Sequence, residues 1–451
     1  MKLKLRAIHA TNLLPAAIVA LQSTYAGSSF AQTTPSTAPP AAATTPGAMP
    51  PAATTVPTPA EPSPTTPAST TAAANADGSA PAIAVAATAA PAAEMPTPPA
   101  PVVPPPPPPE QDAYKKINMD FWLRVAGVAQ NPVRRNRLDR LSSNGEVEAH
   151  FNNRMRKWLQ WTADFVGTYG GGSIDGAGQF AILDLIAQLE PDEAFNVWAG
   201  RMLVPSDRAN FAGPYFMAPW NYPGAFGAGP KEGPFGRNDG ATIWGQFGGG
   251  TFKYYAGVYN LYGAQRTNGQ FTAPLFSGRL NLSLLSPEPG FYHNATYYGK
   301  DILAIGIGAQ YQKNGTAAPA GTGGPDADYS LFNADILFEK TLGEAGVVDL
   351  EGALYKYFGD NEARQASYFA LASYLTPDIG GIGKFQPLVR LQQTMYKDVA
   401  GTSPDSATAV DVQLGYIVES FATRFAVGFQ HAKASSGNID NQIFAGIQLM
   451  K

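Results

Sequence analysis

The sequence predicts an all-β fold: a transmembrane antiparallel β-barrel of sixteen strands, preceded by a disordered Pro/Ala/Thr-rich segment. Three observations predict it. Beyond residue 113 the chain breaks into stretches of about ten residues with every second residue apolar. No run of 18 apolar residues follows residue 31, and there is no cysteine. In 276–284, Phe276, Leu280, Leu282 and Leu284 alternate with Ser277, Arg279, Asn281 and Ser283. A strand places those two sets on opposite faces. In a sandwich the apolar face meets a second sheet, whereas in a barrel it meets lipid and the polar face lines a wet lumen.

Residues 1–31 read as a secretory signal peptide: Lys2, Lys4 and Arg6, then the apolar run 13–21, then small residues that allow cleavage after Ala26 or Ala31. The apolar run is far shorter than the ~20 residues a spanning helix needs. Residues 32–113 hold 23 of the 40 prolines but only Gly47 and Gly78 of the 47 glycines. Such a segment lacks apolar surface to offset its ordering entropy and is expected to be a disordered periplasmic linker, stiffening toward polyproline II at 104–109. It could also dock a periplasmic or cell-wall partner.

Residues 114–451 are read as the barrel. Traced back from the C-terminus, the strands are 438–450, 421–433, 408–419, 384–397, 364–376, 347–358, 329–340, 302–313, 275–285, 251–262, 241–248, 195–204, 179–189, 146–169 and 116–130. Taken singly these are fifteen, and the stretch 146–169 is too long for one strand. Division at Asn152-Asn153, a pair suited to a turn, gives sixteen and brings both barrel termini to the periplasmic side. Tight connections such as 419–420 and 342–345 alternate with long ones such as 398–407 and 314–328, as periplasmic turns alternate with outer loops.

With apolar faces toward lipid, the inward set includes Asp120, Arg124, Asp164, Arg279, Asp335, Glu339, Asp349, Glu351, Arg390, Asp411 and Arg424. So many ionisable groups point to a solvated lumen. The acidic pairs at 335/339 and 349/351 stand apart from Arg390 and Arg424, which suggests either walls of opposite sign or mutual salt bridging that stabilises the wall. The connection 205–240 is the longest and is rich in Gly, Pro and aromatic residues. It is expected to fold inward as a constriction, with Arg208, Tyr215, Trp220, Tyr222, Lys231, Glu232, Arg237 and Asp239 as its site residues.

Outside the signal the only histidines are His150, His293 and His431, with no His-x-x-x-His spacing and no Gly-x-Ser-x-Gly elbow. No catalytic residue, metal site or cofactor is therefore expected. Beyond residue 113 there are 28 basic and 30 acidic residues, a balance that gives no reason to expect a nucleic-acid partner.

Four segments, in order, resemble elements of the phosphate-selective porin O and P family: Val197-Trp198-Ala199-Gly200-Arg201-Met202-Leu203-Val204-Pro205-Ser206, Tyr254-Tyr255-Ala256-Gly257-Val258-Tyr259-Asn260, Ala334-Asp335-Ile336-Leu337-Phe338 and Gln386-Pro387-Leu388-Val389-Arg390-Leu391. The resemblance covers about 115–451. It implies a sixteen-stranded homotrimer in the outer membrane of a Gram-negative bacterium, with an inward-folded constriction loop. It does not carry phosphate selectivity, because the long loop has Lys231 as its only lysine and brings Asp207, Glu232 and Asp239. The chain also ends Leu449-Met450-Lys451, without the terminal aromatic usual in such barrels.

The expected function is passive diffusion of small hydrophilic solutes or ions through a water-filled channel. Two other readings fit the sequence: a barrel anchor tethered through the Pro-rich tail, and a sheath for a periplasmic multihaem cytochrome.

Overall fold

The computed structural model describes residues 116–131, 140–170, 178–224, 236–260, 273–318, 324–399 and 406–451. The expected signal and Pro-rich linker lie outside the described residues. Sixteen strands follow in order: β1 (Asn118–Asn131), β2 (Arg140–Arg156), β3 (Leu159–Gly170), β4 (Gln179–Leu189), β5 (Asn196–Leu203), β6 (Arg237–Phe247), β7 (Phe252–Tyr259), β8 (Leu275–Ser283), β9 (Ile302–Thr316), β10 (Ala327–Thr341), β11 (Val347–Phe358), β12 (Arg364–Leu375), β13 (Lys384–Tyr396), β14 (Ser406–Glu419), β15 (Thr423–Ala434) and β16 (Ile439–Met450). Each pairs antiparallel with the next, and β1 pairs with β16 to close the barrel. No sheet edge is left open. The even count returns the chain to its starting rim, where Phe121 and Lys451 exchange backbone hydrogen bonds. We call this the near rim and the opposite end the far rim.

On β8 the alternation takes its simplest form. Phe276 is 53% exposed and Leu280 44%, whereas Arg279 and Asn281 are each 1% exposed. Around the wall, Phe121, Val147, Ile182, Ile243, Ile305, Phe332, Leu354, Leu391, Val412, Phe429 and Ile443 all face outward and are exposed. A water-soluble protein buries such residues and exposes the polar ones, so this inversion makes lipid the solvent of the outer face. No helix among the described residues is long and apolar enough to cross a membrane.

Several strand ends differ from the sequence reading, such as the start of β2 at Arg140 instead of 146, and two differences bear on the site. The reversal between β2 and β3 is at Lys157 and Trp158, not at Asn152-Asn153. Those asparagines stay in the ladder because each finds a partner there: Asn118 Nδ2 donates to Asn152 Oδ1 (3.0 Å), and Asn153 Nδ2 to the Lys116 carbonyl (2.7 Å). Strand β6 begins at Arg237, so the long connection is 204–236. On β4 the ladder shifts between Asp164 and Phe165 of β3, and consecutive Leu183 and Asp184 are both buried.

Candidate functional site

After β5 the chain turns into the barrel. Residues 204–212 are all buried, including the short helix α1 (Arg208–Ala212). A loop inside a lumen cannot leave its carbonyls without partners. The wall supplies donors through arginine, whose planar fork serves two acceptors at once. Arg124 of β1 donates to the Trp220 carbonyl (2.6 Å), and Arg279 of β8 to that of Ser206 (2.7 Å). Arg390 of β13 donates to Asn221 and Tyr222 (2.8 and 3.2 Å), and Arg424 of β15 to Met217 and Pro214. Glutamines add to this seam. Gln413 accepts from Trp220 N (2.7 Å) and donates to the Ala218 carbonyl (3.2 Å), while Gln448 donates to that of Tyr215 (3.1 Å). Trp220 sits 4.2 Å beneath the Arg124 guanidinium and against β16 at Gly446, where a Cβ would fall 2.4 Å from the indole.

A second segment enters from the near rim, and the sequence reading missed it. Residues 284–301 connect β8 to β9 and bury Glu288, Phe291, His293, Ala295 and Thr296. Glu339 of β10 holds this segment with both carboxylate oxygens, accepting from Gly299 N and Lys300 N (2.7 and 2.8 Å) and from Thr296 Oγ1 and Tyr297 N (2.8 and 2.6 Å). Lys253 of β7 donates to the Gly290 carbonyl (3.0 Å), and the Tyr255 hydroxyl to that of Phe291 (2.7 Å). The signal was available: an 18-residue connection with four aromatics stands at the rim whose other turns are short.

The two segments meet inside the barrel. Arg208 pairs with Glu288 through both guanidinium nitrogens (2.7 and 2.9 Å) and donates to the Asn294 carbonyl (2.7 Å), and Ala295 N donates to the Phe216 carbonyl (3.0 Å). Beside this contact, Trp198, Met202, Phe211, Trp244, Tyr255 and Phe291 form an apolar cluster, with Phe291 stacked 4.2 Å from Trp198. Burial pushes the Glu288 carboxyl up, but the Arg208 guanidinium against it outweighs that and holds it well below the usual carboxylate range. Asp207 has no such cation in contact, and burial pushes it up to about 6 against the hydrogen bond from the Tyr355 hydroxyl (2.7 Å) and the more distant Arg279 charge.

The expected lumenal residues therefore divide. Asp164, Arg279, Asp335, Glu339, Asp349, Glu351, Arg390, Asp411 and Arg424 are buried inside the barrel and Arg124 is half-buried, while Asp120 is exposed near the start of β1. They are not a water-bathed wall. Arg279, Asp335, Glu339, Arg390 and Arg424 are at most 4% exposed, because the inward segments stand where solvent was expected. Opposed charged walls are not formed either. Asp335 is bonded to Arg279 (2.5 and 2.9 Å), with Gly306 leaving the room this pair occupies, and Asp411 is bonded to Arg390 (2.9 Å).

Of the expected constriction residues, Arg208, Tyr215, Trp220 and Tyr222 are buried in the inward loop, and Lys231 and Glu232 lie outside the described residues. Arg237 belongs to β6 and pairs with Asp184 of β4 (3.1 Å). Asp239 does not line a constriction. It faces outward on β6 and pairs with Arg201 of β5 (2.7 Å), because alternation sets it opposite the buried face of Thr242. Near the β2 to β4 wall, His150 bridges Glu148 (3.0 Å) and Asp164 (3.1 Å), an acidic group the sequence reading did not bring together. Among the described residues no cluster of His, Cys, Asp or Glu is arranged to hold a metal ion.

No protein-family model matches the chain, and no characterised protein is similar to it in sequence. In structure it is similar to OprB of Pseudomonas putida, with a TM-score of 0.53 at 10% identity over 75% of this chain and 95% of that one. The fold is that of the outer-membrane porins. OmpF of Salmonella typhi, solved with daunomycin, aligns with a TM-score of 0.49 at 11% identity over 75% of this chain and 99% of that one. An anion-selective porin from Comamonas acidovorans aligns with a TM-score of 0.47 at 12% identity over 74% and 100%. The resemblance to the phosphate-selective porin O and P family is not accompanied by any family match.

Proposed function

We propose that this chain is an outer-membrane porin that passes small hydrophilic solutes or ions by passive diffusion, with its constriction set by the inward residues 204–224 of the connection between β5 and β6. The observation that carries this reading is a closed barrel, apolar outside, whose lumen holds a loop fastened by wall arginines on β1, β8, β13 and β15. Fastened this way, the loop narrows the lumen without adding reactive chemistry. Width and charge along the remaining polar passage then set which solutes cross. In this reading residues 1–31 direct export and 32–113 are a periplasmic spacer. Planar-bilayer recording of the purified mature protein tests it. Stepwise conductance is expected, and none under conditions where a control porin conducts would overturn it.

We extend the reading to a homotrimer. Arg201 lies five residues beyond the start of β5 at Asn196, and Asp239 eight residues before the end of β6 at Phe247. Normal rise and tilt put the pair roughly 12 to 20 Å above the near rim, within an apolar belt ~25 Å tall. An arginine facing lipid at that depth costs about 2 to 4 kcal/mol. Outward Ala187, Ala199 and Ala241 beside it leave a flat surface against which a second copy can seat.

A further inference from the structure

We infer that the turn between β2 and β3, with the foot of β1 beside it, docks an anionic phospholipid, its cations meeting the headgroup phosphate and its apolar side chains the acyl chains. The inference rests on the porin reading, which sets the outer wall in a bilayer.

The turn reads Arg154-Met155-Arg156-Lys157-Trp158, and all five residues are exposed. Asn153 Nδ2, by donating to the Lys116 carbonyl (2.7 Å), ties a further exposed cation to the same corner. Arg154 braces the turn. It donates to the Lys157 carbonyl (2.8 Å) and pairs with Glu190 (3.2 Å). Arg156 donates to the adjacent Met155 carbonyl (2.8 Å), and among the described residues no carboxylate pairs with Arg156, Lys157 or Lys116. The acidic turn alongside is occupied elsewhere: Glu190 also accepts from Trp198 Nε1 (3.1 Å), and Asp192 caps the amides of Ala194 and Phe195 (2.7 and 3.0 Å).

Two features select a lipid as the occupant. Positive charge is confined to this corner, since the other near-rim turns 190–195, 342–346, 376–383 and 420–422 contain no lysine or arginine and bring Glu190, Asp192, Glu193, Glu344 and Asp378. An anion is therefore drawn to one place on the rim. The same corner is also apolar. Trp158 is 50% exposed and Met155 47%, and at the foot of β1, where Asn118 pairs with Asn152, Ile117 and Met119 are exposed as well. Through Phe121 this surface runs into the lipid-facing wall. A hydrated polyanion of the cell wall would leave those side chains in water, whereas an amphiphile satisfies both halves. Indole rings settle at headgroup level, and Arg and Lys reach from the apolar edge to phosphate.

The test uses the mature protein in phosphatidylcholine vesicles carrying a minor share of brominated phosphatidylglycerol or, in parallel, brominated phosphatidylcholine. Quenching of Trp158, taken as the difference between wild type and Trp158→Phe, should be stronger with the brominated anionic lipid. Each basic residue at a charged surface changes occupancy roughly fivefold, so Arg156→Gln with Lys157→Gln should abolish the excess, and raised salt should shrink it. Arg154 is untouched, so the turn keeps its brace. Equal quenching by the two lipids in the wild type, or an excess that persists in the double variant, would overturn the inference. So would sedimentation with purified cell-wall sacculi that the double variant loses while no lipid preference exists, an outcome that assigns the corner to the wall polymer. Conductance is read separately and should be unchanged in the double variant, so a failed lipid preference leaves the porin reading standing.

Discussion

Replacing Glu288 with Gln removes the negative half of the contact that joins the two inward segments. Arg208 is 0% exposed and its carboxylate partner accepts two guanidinium bonds, at 2.7 and 2.9 Å, so the pair is closed to bulk solvent. Removing one partner of such a pair costs about 3 to 5 kcal/mol. At about 1.4 kcal/mol per tenfold, the undocked population rises by roughly two to three and a half orders of magnitude. The barrel itself should stand, because its strand ladders use neither side chain. Single-channel conductance and limited proteolysis of 284–301 would read the change. The expected result is larger, noisier openings and new cleavage in that segment, with thermal unfolding of the barrel little altered. Arg208→Met with Glu288→Leu should recover most of the wild-type behaviour, since a buried pair exchanged for apolar groups of similar volume is near neutral. If Glu288→Gln folds and matches the wild type in both assays, the two segments are not held by this pair.

Four further predictions follow from the same geometry. Asp207 has its folded pKa raised from an ordinary 3.8 to about 6, so the folded state binds the extra proton and stability falls as pH rises through that window. Asp207→Asn should remove that slope, worth about 3 kcal/mol, and flatten the melting temperature between pH 4 and 6. Glu288 behaves oppositely. Its folded pKa is depressed below the ordinary 4.5, so its contribution is present above that value and is lost only as pH falls toward the depressed one, and proteolysis of 284–301 should stay slow at pH 5. Arg424→Gln deletes charge-assisted bonds to the Met217 and Pro214 carbonyls, each worth ~1.5 to 3 kcal/mol, and should increase current fluctuations. Arg201→Glu places like charges beside Asp239 on the outer wall and should convert the proposed trimer to monomers, measured as mass in detergent. A persisting trimer would place that face elsewhere.

The wall was legible in the sequence and the contents of the lumen only in part. Alternation such as Phe276, Leu280 and Leu282 against Ser277, Arg279 and Asn281 is a property of neighbouring residues, and a closed barrel leaves tertiary packing little freedom to override it. Parity then required a division within 146–169, because sixteen strands return the chain to one rim. The turn was misplaced since Asn152-Asn153 has turn chemistry but also cross-strand partners, and only the second fact decides. The inward segments were harder. Nothing local in 284–301 announces that Glu288 will meet Arg208, 80 residues earlier. Asp239 misled for a related reason: it was assigned to the loop by position, while its side chain obeys the strand that begins at Arg237.

A count of inward charges cannot distinguish a wet channel from a fastened one, because both uses demand the same residue types. The distinction lies in geometry. A lumenal arginine that serves a permeating ion must keep its donors open, whereas Arg424 directs its own at backbone carbonyls and Gln448, and Arg279 and Arg390 divide theirs between backbone carbonyls and Asp335 or Asp411. The carboxylates differ in the same respect. Asp335, Glu339 and Asp411 are spent on partners, whereas Glu351 is not and Asp349 keeps one oxygen unpartnered. Selectivity in such a lumen follows from the groups left open once the inward segments have been tied down, and not from the number of charged residues that face inward.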